Sequence, residues 1–105
     1  MSHIAVRTGV PDEADAEALS RTLVKKRIPA GTRITDGVSH YRWEGEVHER
    51  HYWTVTAFTT TDELPPLYEL VERSHSDDLP GITYTEIDAS EEYLDWTGEQ
   101  TAEPA

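Results

Sequence analysis

The chain contains no cysteine. That excludes disulfides, thiolate nucleophiles and sulfur-ligated zinc or copper centres together. It is also short of cations, with 9 lysines and arginines against 21 aspartates and glutamates and a formal net charge of -12. So few cations cannot assemble a large basic patch, which makes nucleic acid and anionic membrane surfaces poor partners. Cations, basic surfaces or simply a solvated acidic shell are the expected counterparts. No run of about 18 apolar residues occurs, the length that a membrane-spanning helix needs. The opening Met1-Ser2-His3-Ile4-Ala5-Val6 has neither the basic start nor the long apolar run of a secretion signal, so a soluble cytoplasmic protein is the default expectation. The glycine-rich fingerprints of nucleotide sites and the serine elbow of acyl transferases are missing too, which leaves those activities without support.

What is present is a single folded domain over residues 1–105, with an ordered core expected over about 3–97. A composition 36 % hydrophobic, with Trp43, Trp53, Trp96 and five tyrosines, is too apolar and too aromatic for a disordered chain. A chain this short buries only about 60 to 65 % of its unfolded surface, so a partner subunit would help it.

The organising stretch runs from Thr32 to Thr60 and reads as one long β-hairpin. Its return arm, through His51-Tyr52-Trp53-Thr54-Val55-Thr56-Ala57-Phe58, is dense in β-branched and aromatic residues that suit a pleated sheet and crowd a helix. Gly45, after Glu44, supplies the backbone freedom of a tight reversal. A two-residue turn there sets Tyr41 opposite His48, His40 opposite Glu49 and Val38 opposite His51, which puts His40, Glu49 and His51 on one face. A bend is expected at Asp36-Gly37.

Around the hairpin, Ile4 to Thr8 reads as a first strand. A helix follows from Asp12 to Arg27, with Asp12 as its cap, acids in its first turn and Lys25-Lys26-Arg27 at its end. Pro29 and Gly31 stop it. A second helix begins near Thr61 or Asp62, carries Leu64, Leu67, Tyr68 and Val71 as its apolar stripe, and ends near Ser74-His75. Ile82 to Asp88 reads as a last strand, and Ser90 caps a short helix from Glu91 to Trp96, with the tail from Gly98 onward expected to fray. This order predicts an α+β fold, ferredoxin-like βαββαβ with a long β2-β3 hairpin and a short C-terminal helix. Two helices cover one sheet face only, while the return arm is apolar or aromatic on both, with Trp53-Val55-Ala57 on one side and Tyr52 with Phe58 on the other. Assembly into a closed oligomer is the simplest cover.

Four stretches resemble the CutA-like divalent-ion tolerance family in order and spacing. They are Thr8-Gly9-Val10-Pro11-Asp12, Leu23-Val24-Lys25-Lys26-Arg27-Ile28-Pro29-Ala30, Tyr41-Arg42-Trp43-Glu44-Gly45, and His75-Ser76-Asp77-Asp78-Leu79-Pro80-Gly81-Ile82. The likeness covers about Ile4 to Trp96. It implies a homotrimer of ferredoxin-like subunits, sheets packed about a threefold axis, with the hairpin reaching a neighbour. Two departures alter the implied site. Gly31 stands where the family commonly carries a cysteine, and Ser76-Asp77-Asp78 replaces a Pro-Tyr-Glu run near the implied subunit cleft.

Imidazole with carboxylate is a competent set for copper or another divalent cation. The candidate metal residues are His40, Glu49 and His51 on the hairpin and His75 with Asp78 after the second helix. His75, Asp77, Asp78 and Tyr84 are the candidate ligand or cleft residues. Packing of an exposed ribbon is the competing role for the first group, and His3 and His48 are expected to be solvated. Trp43 and Trp96 are expected to serve packing and subunit contacts. No catalytic residue is assigned. The functional expectation is a trimeric divalent-cation-binding protein linked to metal-ion tolerance or response. The alternatives are a small-molecule-binding or catalytic trimer using its intersubunit clefts, or a ligand-free structural or anchoring trimer.

Overall fold

The computed structural model describes residues 2–101. Its elements are β1 (His3–Val10), α1 (Glu13–Lys25), β2 (Gly31–Trp43), β3 (Glu46–Thr60), a 3-10 turn (Thr61–Glu63), α2 (Leu64–Ser74), β4 (Ile82–Glu86) and α3 (Glu91–Thr101). The four strands form one antiparallel sheet in the order β2-β3-β1-β4, the ferredoxin-like arrangement expected from the element order.

Local chemistry sets the boundaries. Asp12 accepts a hydrogen bond from the Asp15 amide at 3.1 Å, and Glu13 and Asp15 occupy the first turn of α1. At the other end the Ile28 amide reaches back to the Leu23 carbonyl and the Arg27 amide to the Val24 carbonyl. That pair of bonds is a Schellman closure, with Arg27 at φ 61 where glycine is usual. Leu23 and Ile28 are both buried, which supplies its apolar contact. Pro65 and Pro66 fall in the first turn of α2, where an absent amide hydrogen costs no helical bond.

Alternation along the strands sorts side chains onto two faces. Ile4, Val6 and Val10 of β1 and Val55 and Ala57 of β3 meet Ala16, Leu19 and Leu23 of α1 and Leu67, Leu70 and Val71 of α2 in the core. The opposite face carries Gly9, Tyr52, Thr54, Thr56 and Phe58, with Tyr52 and Phe58 half-buried. Arg33 stacks over the Phe58 ring at 5.1 Å, and Arg50 lies 6.0 Å from the Tyr52 ring. These guanidinium groups cover part of the second face, but neither α1 nor α2 reaches it.

The hairpin register is the one its two-residue turn dictates, including Tyr41 with His48, His40 with Glu49 and Val38 with His51. Glu44 (φ 51) and Gly45 (φ 81) both lie in the left-handed region, the conformation of a type I′ reversal. β2 runs unbroken through Asp36-Gly37, because both residues keep their ladder partners, Trp53 and Tyr52, and the expected bend does not occur. The hairpin extends well past the helices, and the molecule measures 47 × 24 × 20 Å.

The last helix differs most from expectation. It does not stop at Trp96 but continues through Gly98 to Thr101. Thr97 and Thr101 turn their faces inward and are buried, and their hydroxyls bond to the Tyr93 and Gly98 carbonyls. His3 and Arg27 hold the helix from outside by bonding to the Leu94 and Glu99 carbonyls. β4 is correspondingly shorter and ends at Glu86.

Candidate functional site

A cleft of about 850 Å³ opens on the sheet face opposite α1 and α2. Its floor is the hairpin, with Tyr41, His48, Arg50 and Tyr52, and its wall is the loop Ser76-Asp77-Asp78-Leu79. The aromatic floor is ordered by ring contacts. His48 stacks on Tyr41 with centroids 5.4 Å apart, and Tyr41 meets Tyr52 edge-on at 6.0 Å. His48 is therefore half-buried rather than solvated, because its direct cross-strand partner is an aromatic ring. His3 is likewise engaged, through Leu94.

Three hydrogen bonds fasten the loop. The Asp77 amide donates to His75 Nδ1 at 3.0 Å, so the ring hydrogen sits on Nε2, which donates to the Gly9 carbonyl at 2.6 Å. The Tyr52 hydroxyl donates to Asp77 Oδ2 at 2.9 Å. Burial, and then the neighbouring Tyr41 hydroxyl and Asp77 carboxylate, push the Tyr52 phenol well above the ordinary phenol range. Gly9 matters sterically at this point, since a Cβ there would stand 3.3 Å from Tyr52 Cδ1.

The expected cleft group is thus partly assembled. Asp77 and Asp78 line the cleft, and His75 stands behind it with both ring nitrogens occupied. Tyr84 is placed elsewhere. It pairs with Val6 and so shares the face of the helices, whereas the cleft lies on the face of Gly9. Tyr52, Tyr41 and Arg50 complete the cleft without having been singled out as site residues. Their alternation on the hairpin was the available signal, and their proximity to Asp77 was not.

On the helix-side face the hairpin projects beyond α1 and α2. His40 Nε2 lies 2.8 Å from Glu49 Oε1, as their direct pairing requires. His51 does not join them. Its Nε2 lies 2.7 Å from Asp36 Oδ2, across the diagonal from its direct partner Val38, and its ring rests 4.7 Å from that of Trp53. Twisted strands have one close diagonal and one distant one, and here the close diagonal leads from His51 to Asp36. His40, Glu49 and His51 share a face as expected, yet they form two separate pairs with Asp36 as the fourth member. Among the described residues, no three histidine or acidic side chains converge on one point.

Comparison with known proteins places this geometry. Residues 4–100 match the family described as CutA1 divalent ion tolerance protein. The divalent-cation tolerance protein CutA of Thermus thermophilus is 38 % identical over 94 residues, covering 88 % of this chain and 91 % of that protein. A solved structure of that organism's protein superposes with a TM-score of 0.92 over 95 % of this chain and 99 % of its own. The CutA protein of Pyrococcus horikoshii is 32 % identical over 99 residues, 93 % of this chain and 97 % of its own length. A crystal structure of CutA1 from that archaeon gives a TM-score of 0.89 over 95 % and 99 % of the two chains. Sequence and fold agree over most of the chain, and the chain belongs to the CutA1 divalent ion tolerance protein family.

Proposed function

We propose that the protein is a homotrimer that binds divalent cations and acts in divalent-cation tolerance. The observation that carries the cation reading is the pairing of hairpin histidines with carboxylates at 2.7 and 2.8 Å, in a chain of net charge -12. Imidazole and carboxylate oxygen are donors that copper, nickel and zinc accept, and the negative field concentrates cations around them. The relatives' names attach divalent-cation tolerance to proteins of this length and fold. The trimer reading is supported by the sheet face bearing Tyr52 and Phe58, which α1 and α2 leave uncovered and on which both aromatic rings stay half-buried. Sedimentation together with calorimetric titration of copper and zinc tests both halves. The expected result is a particle of three 11.9 kDa chains that takes up cation. A monomer, or a protein indifferent to both metals, would refute the corresponding half.

A second reading rests on the cleft itself. Its volume of about 850 Å³ and its mixture of Tyr41, Trp43, Tyr52, Arg50 and Asp77 suit an organic molecule with both a flat face and polar groups. Native mass spectrometry of freshly purified protein tests it, because a retained small molecule adds a discrete mass that Tyr52→Ala removes.

A further inference from the structure

We infer that the last turn of α3, Thr97 to Thr101, is a salt-gated clasp, docked on the sheet in molar salt and lifted from it in dilute salt. The charge of the chain is most one-sided here. All nine lysines and arginines lie at or before Arg73, and from Ser76 to Ala105 the sequence holds nine carboxylates and no lysine, arginine or histidine. Four of those carboxylates, Glu91, Glu92, Asp95 and Glu99, stand on α3 itself.

Spacing decides how these charges act. Glu91, Asp95 and Glu99 follow one another at four-residue intervals and Glu92 lies three before Asp95, so each stands beside a like charge on the helix surface. Such neighbours are about 6 Å apart. The screening length is about 10 Å in 0.1 M salt and about 3 Å in 1 M salt. Repulsion along the stripe therefore persists in dilute salt and is screened in molar salt. The two ends of the helix differ in their response. Glu91 and Glu92 sit at the N-terminus, where the dipole favours acids and Ser90 accepts from the Tyr93 amide. Glu99 sits in the last turn, where the dipole opposes it, and Gly98 beside it lowers the intrinsic stability of the helix. The C-terminal turn is the part that charge loosens first.

Little else holds that turn down. Thr97 and Thr101 are the buried residues of α3, and their hydroxyls bond to carbonyls of their own helix, those of Tyr93 and Gly98. Lifting these two side chains from the sheet therefore breaks no hydrogen bond of theirs. The Arg27 guanidinium donates to the Glu99 carbonyl at an exposed position, where water replaces it readily, whereas His3 holds the Leu94 carbonyl more than a turn earlier. His3 shares its sheet face with Ala5 and Thr60, which are buried although α1 and α2 lie on the opposite side. Release of the clasp uncovers this end of the face. Because the repulsion runs between residues of one helix, it is present in the single chain and in an assembly alike.

Hydrogen-exchange mass spectrometry of the intact protein in about 0.1 M and about 1 M KCl tests the clasp. Rates are compared with those of the unstructured sequence at the same salt concentration. The amides of Thr97 to Thr101 should exchange roughly fivefold more slowly in the higher salt, with a smaller change in β1 and β3. The double variant Asp95→Asn, Glu99→Gln should protect the turn already in dilute KCl and lose most of the salt response, and Glu99→Gln alone should show part of the same change. Both positions are exposed, and circular dichroism confirms that each variant is folded. Equal protection of the wild-type turn at the two salt concentrations would overturn the clasp. A salt response of the same size throughout the sheet would overturn it too, since that marks stabilisation of the whole fold. So would a double variant that responds to KCl as wild type does, because the carboxylates of α3 would then not be the cause.

Discussion

The Tyr52 hydroxyl donates to the Asp77 carboxylate at 2.9 Å, which ties the long hairpin to the loop after α2 across 25 positions of sequence. A half-buried phenol bound to a carboxylate is a charge-assisted bond of the stronger kind. Tyr52→Phe keeps the ring against Gly9 and Tyr41 and removes only this bond. It should lower stability by about 1.5 to 2 kcal/mol and speed amide hydrogen exchange through Ser76 to Leu79. Denaturant unfolding checks the first effect and exchange mass spectrometry the second.

The same phenol gives a pH dependence with a defined sign. Its folded pKa lies above its unfolded value, so the folded state keeps a proton that the unfolded state releases. The contribution is therefore complete below the unfolded tyrosine value of about 10 and is lost as the pH rises beyond it. Absorbance titration near the tyrosinate band should show one of the five tyrosines ionising late, and Tyr52→Phe should abolish that late step.

The ring hydrogen of His75 should sit on Nε2, because Nδ1 accepts from the Asp77 amide and Nε2 donates to the Gly9 carbonyl. A nitrogen-correlated spectrum of the imidazole checks the tautomer. His75→Asn retains an acceptor near the Nδ1 position and should preserve protection of the Asp77 amide, whereas His75→Ala should expose it.

Glu44 is held at φ 51 in the hairpin turn, a conformation that a side chain with a free Cβ resists. Asparagine tolerates it, and Asn-Gly is the favoured type I′ pair. Glu44→Asn should raise stability by about 0.5 to 1 kcal/mol, measurable as an increased thermal midpoint.

The hydroxyl of Thr8 is buried with no hydrogen-bond partner among the described residues. An unsatisfied polar atom of this kind costs about 1 to 3 kcal/mol. Thr8→Val exchanges it for a methyl group of the same shape and should stabilise the fold by about 1 kcal/mol. Thr8→Ser should do the opposite, since it keeps the orphan hydroxyl and deletes the methyl group. Chemical denaturation of the two variants side by side decides the matter.

The elements most legible in the sequence were those fixed by short-range chemistry. Asp12 capping α1, the alternating β-branched run of β3 and the Glu44-Gly45 reversal each depend on neighbours within a few residues, and a two-residue turn then dictates the whole hairpin register. That α1 and α2 share one sheet face also followed from the element order, whereas the reach of α3 onto the other face did not. What the sequence by itself determined about the site was therefore parity, that His40, Glu49 and His51 share one side of a ribbon. Only the tertiary structure decided the partners. The twist of the strands sent His51 to Asp36, chain reversal brought Asp77 to Tyr52, and the packing of Thr97 and Thr101 extended α3 where the composition suggested fraying. These outcomes depend on angles and on contacts between distant segments, and a one-dimensional pattern carries the periodicity of each strand but not its twist.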